Sequence, residues 1–320
     1  MHQLVSFGEV LVDIFSSSLT DKEATLAGGA PANVAVCFAK LGGKATFVGG
    51  IADDEFGTFL LGELASNKVD TSYVIPFLGA KTARAIVTLD KKNDRHFKIL
   101  RNQTADMLVR PKHIPKRLFE SNSILHCCSN SLTESSIAET TLFCIETARK
   151  KNSLVSFDVN LRLDLWRDVE KLKVRVSKTL AYSHIVKLSM EELEFLANQE
   201  QVTHKEYMDK CFKLGVQLLI VTNGEKVIQC YYRGRTFIQL PDKISAVDTT
   251  GAGDAFCGGF LFNLSKQRAL LDKYSQLRLS DSQIVDALQF AARCGSYACL
   301  TKGAFEAMPQ LESLQQSNEV

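Results

Sequence analysis

The stretch PANVAVCFAKLGGKATFVGG, residues 31–50, decides the fold. Its first half spaces Val34, Cys37, Phe38 and Leu41 at helical intervals, with Pro31 near the first turn and glycines just past the end. Its second half holds ATFVGG (45–50), which reads as a short buried strand, and LVSF (4–7) upstream reads as another. Strand, helix, strand is the repeating unit of a parallel sheet.

The rhythm continues outward. SILHCC (123–128) precedes a helix-like stretch from Glu134 to Lys151, then come LVSFDVN (154–160), HIVKL (184–188) and LLIVTNG (218–224). This alternation predicts a mostly parallel sheet covered by helices on both faces. One segment breaks it. ARAIVTLD (83–90) and RHFKIL (95–100), joined by the turn-prone KKND, predict an antiparallel hairpin. It is either an edge hairpin of the main sheet or a flap over a site, and nothing local chooses. Near the C-terminus Ser280 and Gln283 form a capping box for a helix carrying Ile284, Leu288, Ala292 and Gly295. Its small side accommodates either a neighbouring helix or a flat ring.

The 320 residues carry no low-complexity run or linker-like tract, so a single compact unit is expected. Lys and Arg number 38 against 36 Asp and Glu, and they are scattered, which argues against nucleic-acid and membrane-surface partners. The nine cysteines include no CxxC pair and read as reduced thiols packed as small apolar residues. The N-terminus lacks the features of a signal peptide, and no stretch reaches the roughly 18 apolar residues of a membrane span. A soluble cytoplasmic protein is the expectation.

DTTGAGDAFCGGF (248–260) carries the chemistry. Phe256, Phe260, Leu261 and Leu264 share one helical face, so a helix begins at about Ala252. Gly251 and Gly253 then fall at its first turn, where free N–H groups and the helix dipole make an anion site, with Asp254 in the same turn. An Asp there is also favoured by the dipole alone, and the motif by itself leaves both readings open. There is no Walker loop, and GAGDAF lacks the third glycine of a dinucleotide fingerprint. A carboxylate beside an anion hole fits phosphoryl transfer better than hydride transfer, because the acid can take a hydroxyl proton while the N–H groups hold phosphoryl charge. The other half of such a site should grip a polyol. GEVLVD (8–13) puts Asp13 at a strand end, and GGAPANVA (28–35) puts Gly28 and Gly29 before a helix with Asn33 in its first turn. Carboxylate and carboxamide suit vicinal hydroxyls, although a turn residue and a helix start are the plainer roles. DVNLRLDLW (158–166) adds Asp158, Asn160 and Arg162 just past a strand end, where open α/β sheets bind ligands; a surface ion pair is the plainer role for the arginine.

Together these stretches resemble the PfkB, or ribokinase-like, carbohydrate kinases. GGAPANVA is similar to that family's N-terminal signature and DTTGAGDAF to its C-terminal one. FGEVLVD, LRNQTADML (100–108), DVNLRLDLW, KLSMEELEFL (187–196), VTNGEK (221–226) and TKGAFEAMP (301–309) resemble its fructokinase branch. The resemblance runs from Leu4 to Pro309. It implies one domain over residues 1–320, a three-layer α/β/α Rossmann-like fold with a small β-sheet lid from about 10–26 and 81–105. It implies Asp254 as catalytic base, Gly251, Ala252 and Gly253 as anion hole, and Arg162 on the phosphoryl group. Asp13, Gly28, Gly29, Asn33, Arg101, Asp158, Arg162 and Asp254 would contact the sugar. Lys187, Ser189, Thr222, Asn223, Gly224, Glu225, Gly251, Gly253, Ala292 and Gly295 would contact ATP, the co-substrate. Magnesium on the phosphates would meet Glu192 through water. Asp248, Thr250, Ala298, Thr301 and Gly303 match the positions of a monovalent cation, potassium. A homodimer through the lid's apolar hairpin is the assembly suggested.

The chain departs from the wider family at Ser189, Asn223 and Val227. D-fructose, phosphorylated at C6, is the expected acceptor. The alternatives are 2-keto-3-deoxygluconate or another PfkB sugar. Arg84, Lys98 and Arg101 are the cations available for an acid sugar's carboxylate. From another class, a non-catalytic sugar- or nucleotide-sensing relative would bind without turnover.

Overall fold

The computed structural model describes residues 1–16, 24–89, 95–119, 123–267 and 270–316. The chain enters as β1 (Gln3–Phe7), leaves for β2 (Leu11–Ser16) and β3 (Ala24–Gly28), and returns through α1 (Ala30–Lys40) to β4 (Ala45–Val48). β5 (Gly50–Ala52), α2 (Glu55–Ser66) and β6 (Ile75–Phe77) precede a second excursion, β7 (Arg84–Leu89) and β8 (Arg95–Leu100). Strands and helices then alternate through β9 (Ser123–Cys128), α3 (Ser135–Lys150), β10 (Leu154–Asp158), α4 (Val169–Leu180) and β11 (Ile185–Ser189). α5 (Met190–Glu200), α6 (His204–Leu214), β12 (Leu218–Thr222), β13 (Ile228–Tyr232) and β14 (Arg235–Gln239) follow. The chain closes with α7 (Ala252–Ser265), α8 (Asp281–Ala298) and α9 (Leu311–Gln316).

The main sheet has the order β14-β13-β12-β11-β10-β9-β1-β4. Its strands are parallel from β12 to β4, and β13 and β14 add an antiparallel edge. Successive strand residues point to opposite faces, and the core divides accordingly. Leu4 packs in one cluster with Val34 and Phe38 of α1, Phe260 of α7 and Leu288 of α8. Val5 and Phe7 pack in a second with Ile145 of α3, Val176 of α4 and Leu196 of α5. The result is three layers, α/β/α. Among the described residues no helix is long and apolar enough to cross a membrane.

The predicted hairpin does not extend this sheet. β7 and β8 pair antiparallel, β7 runs parallel to β2, and β2 pairs antiparallel with β3, giving a separate sheet of order β3-β2-β7-β8. The KKND connection lies outside the described residues. Asp13 was expected at a strand end, and the structure corrects this: it is the third residue of β2, opposite Leu26 and Ala85. The first strand ends at Phe7, the chain turns through Gly8 to Val10, and the alternating LVDIFS is a strand of the second sheet.

The small side of α8 receives a helix. A Cβ on Gly259 of α7 would lie 2.6 Å from Cys294 Sγ, and one on Gly295 of α8 would lie 3.2 Å from the Ala252 carbonyl oxygen. Glycines on both partners let α7 and α8 approach closely. Ala292, named above as a nucleotide contact, is 2% exposed and packs in the core. Gly295 keeps a partly exposed flank.

Candidate active site

The head of α7 is built as its glycines suggested. Gly251 is the N-cap in a left-handed conformation (φ 77°), which a non-glycine residue adopts only with strain. The Ala252 N–H is turned back onto the Thr249 carbonyl at 3.3 Å. The N–H groups of Gly251, Gly253 and Asp254 make no hydrogen bond among the described residues. The open donors are therefore these three, and Ala252, counted above in the anion hole, contributes position more than a donor.

Asp254 sits beside these amides and is buried, at 8% exposure. Its Oδ2 accepts a 2.7 Å hydrogen bond from Asn33 Nδ2 in the first turn of α1. Residues 221 apart in sequence thus make the central contact. Burial raises the Asp254 carboxyl from 3.8 to about 7; the Asn33 bond draws it back, Asp158 adds to the rise, and Lys187 and Arg162 oppose it. A carboxyl poised near neutrality can exchange a proton with a hydroxyl. Arg162 is exposed, with one Nη donating to the Leu161 carbonyl at 3.1 Å, and it acts on Asp254 through charge.

Asp158, at the carboxyl end of β10, and Lys187 of β11 are register partners and form a buried ion pair at 3.1 Å. The sequence reading gave one to the sugar and the other to the nucleotide and did not foresee that they pair with each other. Burial alone would lower the Lys187 ammonium, but Asp158, with Cys257, Glu192 and Asp254, leaves it above the ordinary lysine value. The ammonium also lies 3.1 Å from where a Cβ on Gly253 would stand, so the pair sits against the first turn of α7. Cys257 Sγ lies 3.5 Å from Asp158 Oδ2 on the same side.

Asp13 faces the end of β3: a Cβ on Gly28 would meet its Oδ2 at 2.6 Å. Burial, with Asp248 and Glu306, raises the Asp13 carboxyl to about 7 as well. Gly29 has φ 115°, and a Cβ there would strike the Glu9 carbonyl oxygen at 2.7 Å, so only glycine fits beneath α1. Asp248 ties two loops together, accepting from the N–H and hydroxyl of Thr250 at 3.1 and 2.8 Å and from the Gly303 N–H at 3.2 Å. Ala298 closes α8 just before Thr301.

Arg101 does not lie open. Its Nε donates to Asp106 at 2.6 Å, one Nη donates to the Asn130 carbonyl at 2.6 Å, and Glu9 lies 4.0 Å from the other. Among the described residues that second nitrogen has no hydrogen-bond partner, and neither do Asn33 Oδ1 and Asn130 Oδ1. Buried polar atoms are normally paired, so such orphans are where a polar ligand or an ordered water completes the bonding. Glu9, Asp106 and Asn130 were not singled out from sequence. Asp106 carried a signal, since it stands five residues after Arg101 in the same LRNQTADM stretch. Glu9 and Asn130 come from distant strand ends and carried none.

Ser189 caps α5 and forms a capping box with Glu192. The Glu192 carboxylate accepts the N–H of Ser189 at 2.8 Å and of Leu161 at 2.6 Å, which keeps both oxygens beside the site. Thr222 ends β12 in register with Ser189, and Asn223, Gly224 and Glu225 form the turn that follows, closed by Lys226 N–H on the Asn223 carbonyl at 2.8 Å. Of the cations considered for an acid sugar, Arg84 lies 6.0 Å over the Phe56 ring, Arg101 is committed as above, and the Lys98 side chain lies outside the described residues.

A family model described as pfkB family carbohydrate kinase matches residues 1–311. A probable fructokinase-4 of Arabidopsis thaliana is 36% identical over 98% of this chain and 97% of its own. Fructokinase-1 of Zea mays is 37% identical over 98% and 96%. Among solved structures, fructokinase from Xylella fastidiosa with bound ATP has a TM-score of 0.91 at 36% identity, covering 99% of both chains. Fructokinase from Vibrio cholerae in its fructose, ADP and calcium ion bound form has a TM-score of 0.87 at 29% identity, covering 99% of this chain and 98% of that one.

Proposed function

The chain belongs to the pfkB family of carbohydrate kinases, and from that premise we propose that it is an ATP-dependent fructokinase, converting D-fructose and ATP to fructose 6-phosphate and ADP. The observation that carries the chemistry is the buried Asp254 carboxyl, raised to about 7, beside three unpartnered amides at the head of α7. Asp254 takes the proton of the C6 hydroxyl. The oxygen attacks the γ-phosphorus in line, its new bond to phosphorus forming as the bond to the β,γ-bridging oxygen breaks and ADP leaves. The amides of Gly251 and Gly253, with Arg162 from the opposite loop, stabilise charge on the transferring phosphoryl oxygens.

Asp13, Asn33, Gly28 and Gly29 hold the sugar, with Asp13 and Asn33 supplying hydrogen bonds and the glycines close approach. Ser189, Thr222 to Glu225 and the exposed flank of Gly295 form the nucleotide side. Magnesium fits the donors present, since Glu192 offers hard carboxylate oxygens next to the phosphate position; when bound it neutralises phosphate charge. A potassium ion suits the Asp248, Thr250 and Gly303 loops, with Ala298 and Thr301 alongside. Four-stranded sheet β3-β2-β7-β8 acts as the lid of a single domain, shutting water away from the phosphoryl group. Its outer face is where we place a homodimer contact, and nine free thiols suit the cytoplasm.

A neutral sugar is favoured over 2-keto-3-deoxygluconate because Arg101 is already flanked by two carboxylates, Asp106 and Glu9. A coupled ADP-release assay with magnesium and ATP tests the assignment against fructose, 2-keto-3-deoxygluconate, ribose, glucose and adenosine, with and without potassium. Selective turnover of fructose is expected. Preference for the keto-acid overturns the substrate, and binding without turnover on every sugar makes the chain a sensor.

A further inference from the structure

Asn130 stands at the carboxyl end of the main sheet, two residues past β9, and is 7% exposed. Its Nδ2 donates to Glu9 Oε1 at 2.9 Å. A carboxylate only accepts hydrogen bonds, so Glu9 fixes which way round the carboxamide lies: nitrogen toward Glu9, oxygen away. The oxygen thus aimed away is buried and has no donor among the described residues. Arg101 makes the complementary case. Its Nε and one Nη are committed to Asp106 and to the Asn130 carbonyl, and the other Nη is buried with no acceptor. A buried acceptor and a buried donor, on two residues bonded to each other and both beside Glu9, stay unsatisfied together. Glu9 in turn touches the sugar-side loop, its carbonyl oxygen lying where a Cβ of Gly29 would be.

We infer that Asn130 is a specificity-determining residue of the sugar site, its Oδ1 accepting from a substrate hydroxyl to which Arg101 donates, with Glu9 as the positioning residue that holds the carboxamide in that sense. This rests on the fructokinase reading above. A hydroxyl offers one donor and two acceptor sites, so it satisfies both orphans, which a carbonyl or an ether cannot. A site with an unfilled acceptor selects against analogues lacking that hydroxyl, because the protein oxygen stays buried without a partner.

The test uses Asn130→Leu, which keeps the volume and removes the acceptor, and Asn130→Ser, which restores an acceptor should the leucine variant fold poorly. Each is assayed against fructose and single-deoxy fructose analogues. For the leucine variant we expect KM for fructose to rise about 10- to 100-fold, with kcat changing less than about threefold and KM for ATP unchanged. With one deoxy analogue the same substitution should cost nothing further, since the hydroxyl that Asn130 recognises is already gone. Glu9→Gln should raise KM for fructose in the same direction, because a carboxamide there also tolerates the flipped Asn130. Losses of equal size with fructose and every deoxy analogue, or an unchanged KM in both Asn130 variants, overturn the inference. Failure of the wild type to phosphorylate fructose overturns the parent reading instead, and the panel is then run on deoxy forms of whichever sugar it does phosphorylate.

Discussion

Replacing Asp254 by Asn separates what this residue does for chemistry from what it costs the fold. In the ligand-free protein burial holds the carboxyl at about 7, against 3.8 for the free group. The unfolded chain releases that proton near 3.8 and the folded chain keeps it until about 7, so between those values the folded state binds more protons. This group's contribution to stability is greatest below 3.8, falls as pH rises, and levels off above about 7. At 1.36 kcal/mol for each pH unit of displacement, the ionised carboxylate costs roughly 4 kcal/mol at pH 8. Asparagine keeps an oxygen for the 2.7 Å bond from Asn33 Nδ2 and carries no charge to desolvate. Ligand-free Asp254→Asn should therefore exceed the wild type in stability at pH 8 by up to about 4 kcal/mol, with the gap shrinking as pH is lowered toward 5. Urea unfolding of both proteins at pH 5, 6, 7 and 8 measures it. Transfer should meanwhile drop by roughly 100- to 10,000-fold, as for loss of a general base. A pH-independent gap, or a variant less stable at pH 8, refutes the claim that Asp254 is a desolvated charge; turnover above a few per cent of wild type refutes its role as base.

The rate of sugar phosphorylation at low sugar should rise with pH through about 7, because only the ionised Asp254 accepts a proton; a flat profile from pH 5.5 to 8 contradicts this. Asn33→Leu removes a hydrogen bond that draws the carboxyl down, so the acid limb of that profile should move to higher pH, and an unmoved limb would mean the bond is not made in solution. Lys187→Met strands the Asp158 carboxylate in the interior and should cost about 3–5 kcal/mol in urea unfolding, part of which Asp158→Asn on the same chain restores. Gly29→Ala should lower the urea midpoint and the yield of folded protein, since its Cβ meets the Glu9 carbonyl oxygen at 2.7 Å on a backbone with φ 115°; a fully stable alanine variant would show that the loop can shift.

Local chemistry explains which parts were legible. The run 31–50 has apolar residues at helical spacing followed by a fully buried strand, and α1, buried all round from Ala30 to Ala39, and β4 formed where the pattern put them. Gly251 and the apolar spacing after it located the start of α7, because both signals lie within one turn. The capping boxes at Ser280 and Ser189 are likewise contacts between residues three apart. Asp13 was misplaced because the alternation LVDIFS says strand without saying which sheet. The small residues of α8 left a ring and a helix equally open, because a run of small residues looks the same whichever fills it, and the close approach of Gly259 on α7 to Cys294 and Ala291 is written only in the fold.

By itself the sequence determined the alternating architecture, the glycine-lined helix head and the acid beside it, since each is written in neighbouring residues through periodicity and backbone freedom. Tertiary structure alone decided that Asn33 grips Asp254, that Asp158 and Lys187 neutralise each other against the first turn of α7, and that Arg101, Glu9 and Asn130 share one buried network. Those contacts join helix starts and strand ends that only the folded chain brings side by side. The charge states they set depend on burial and distance, which are properties of the fold and of no single stretch of chain.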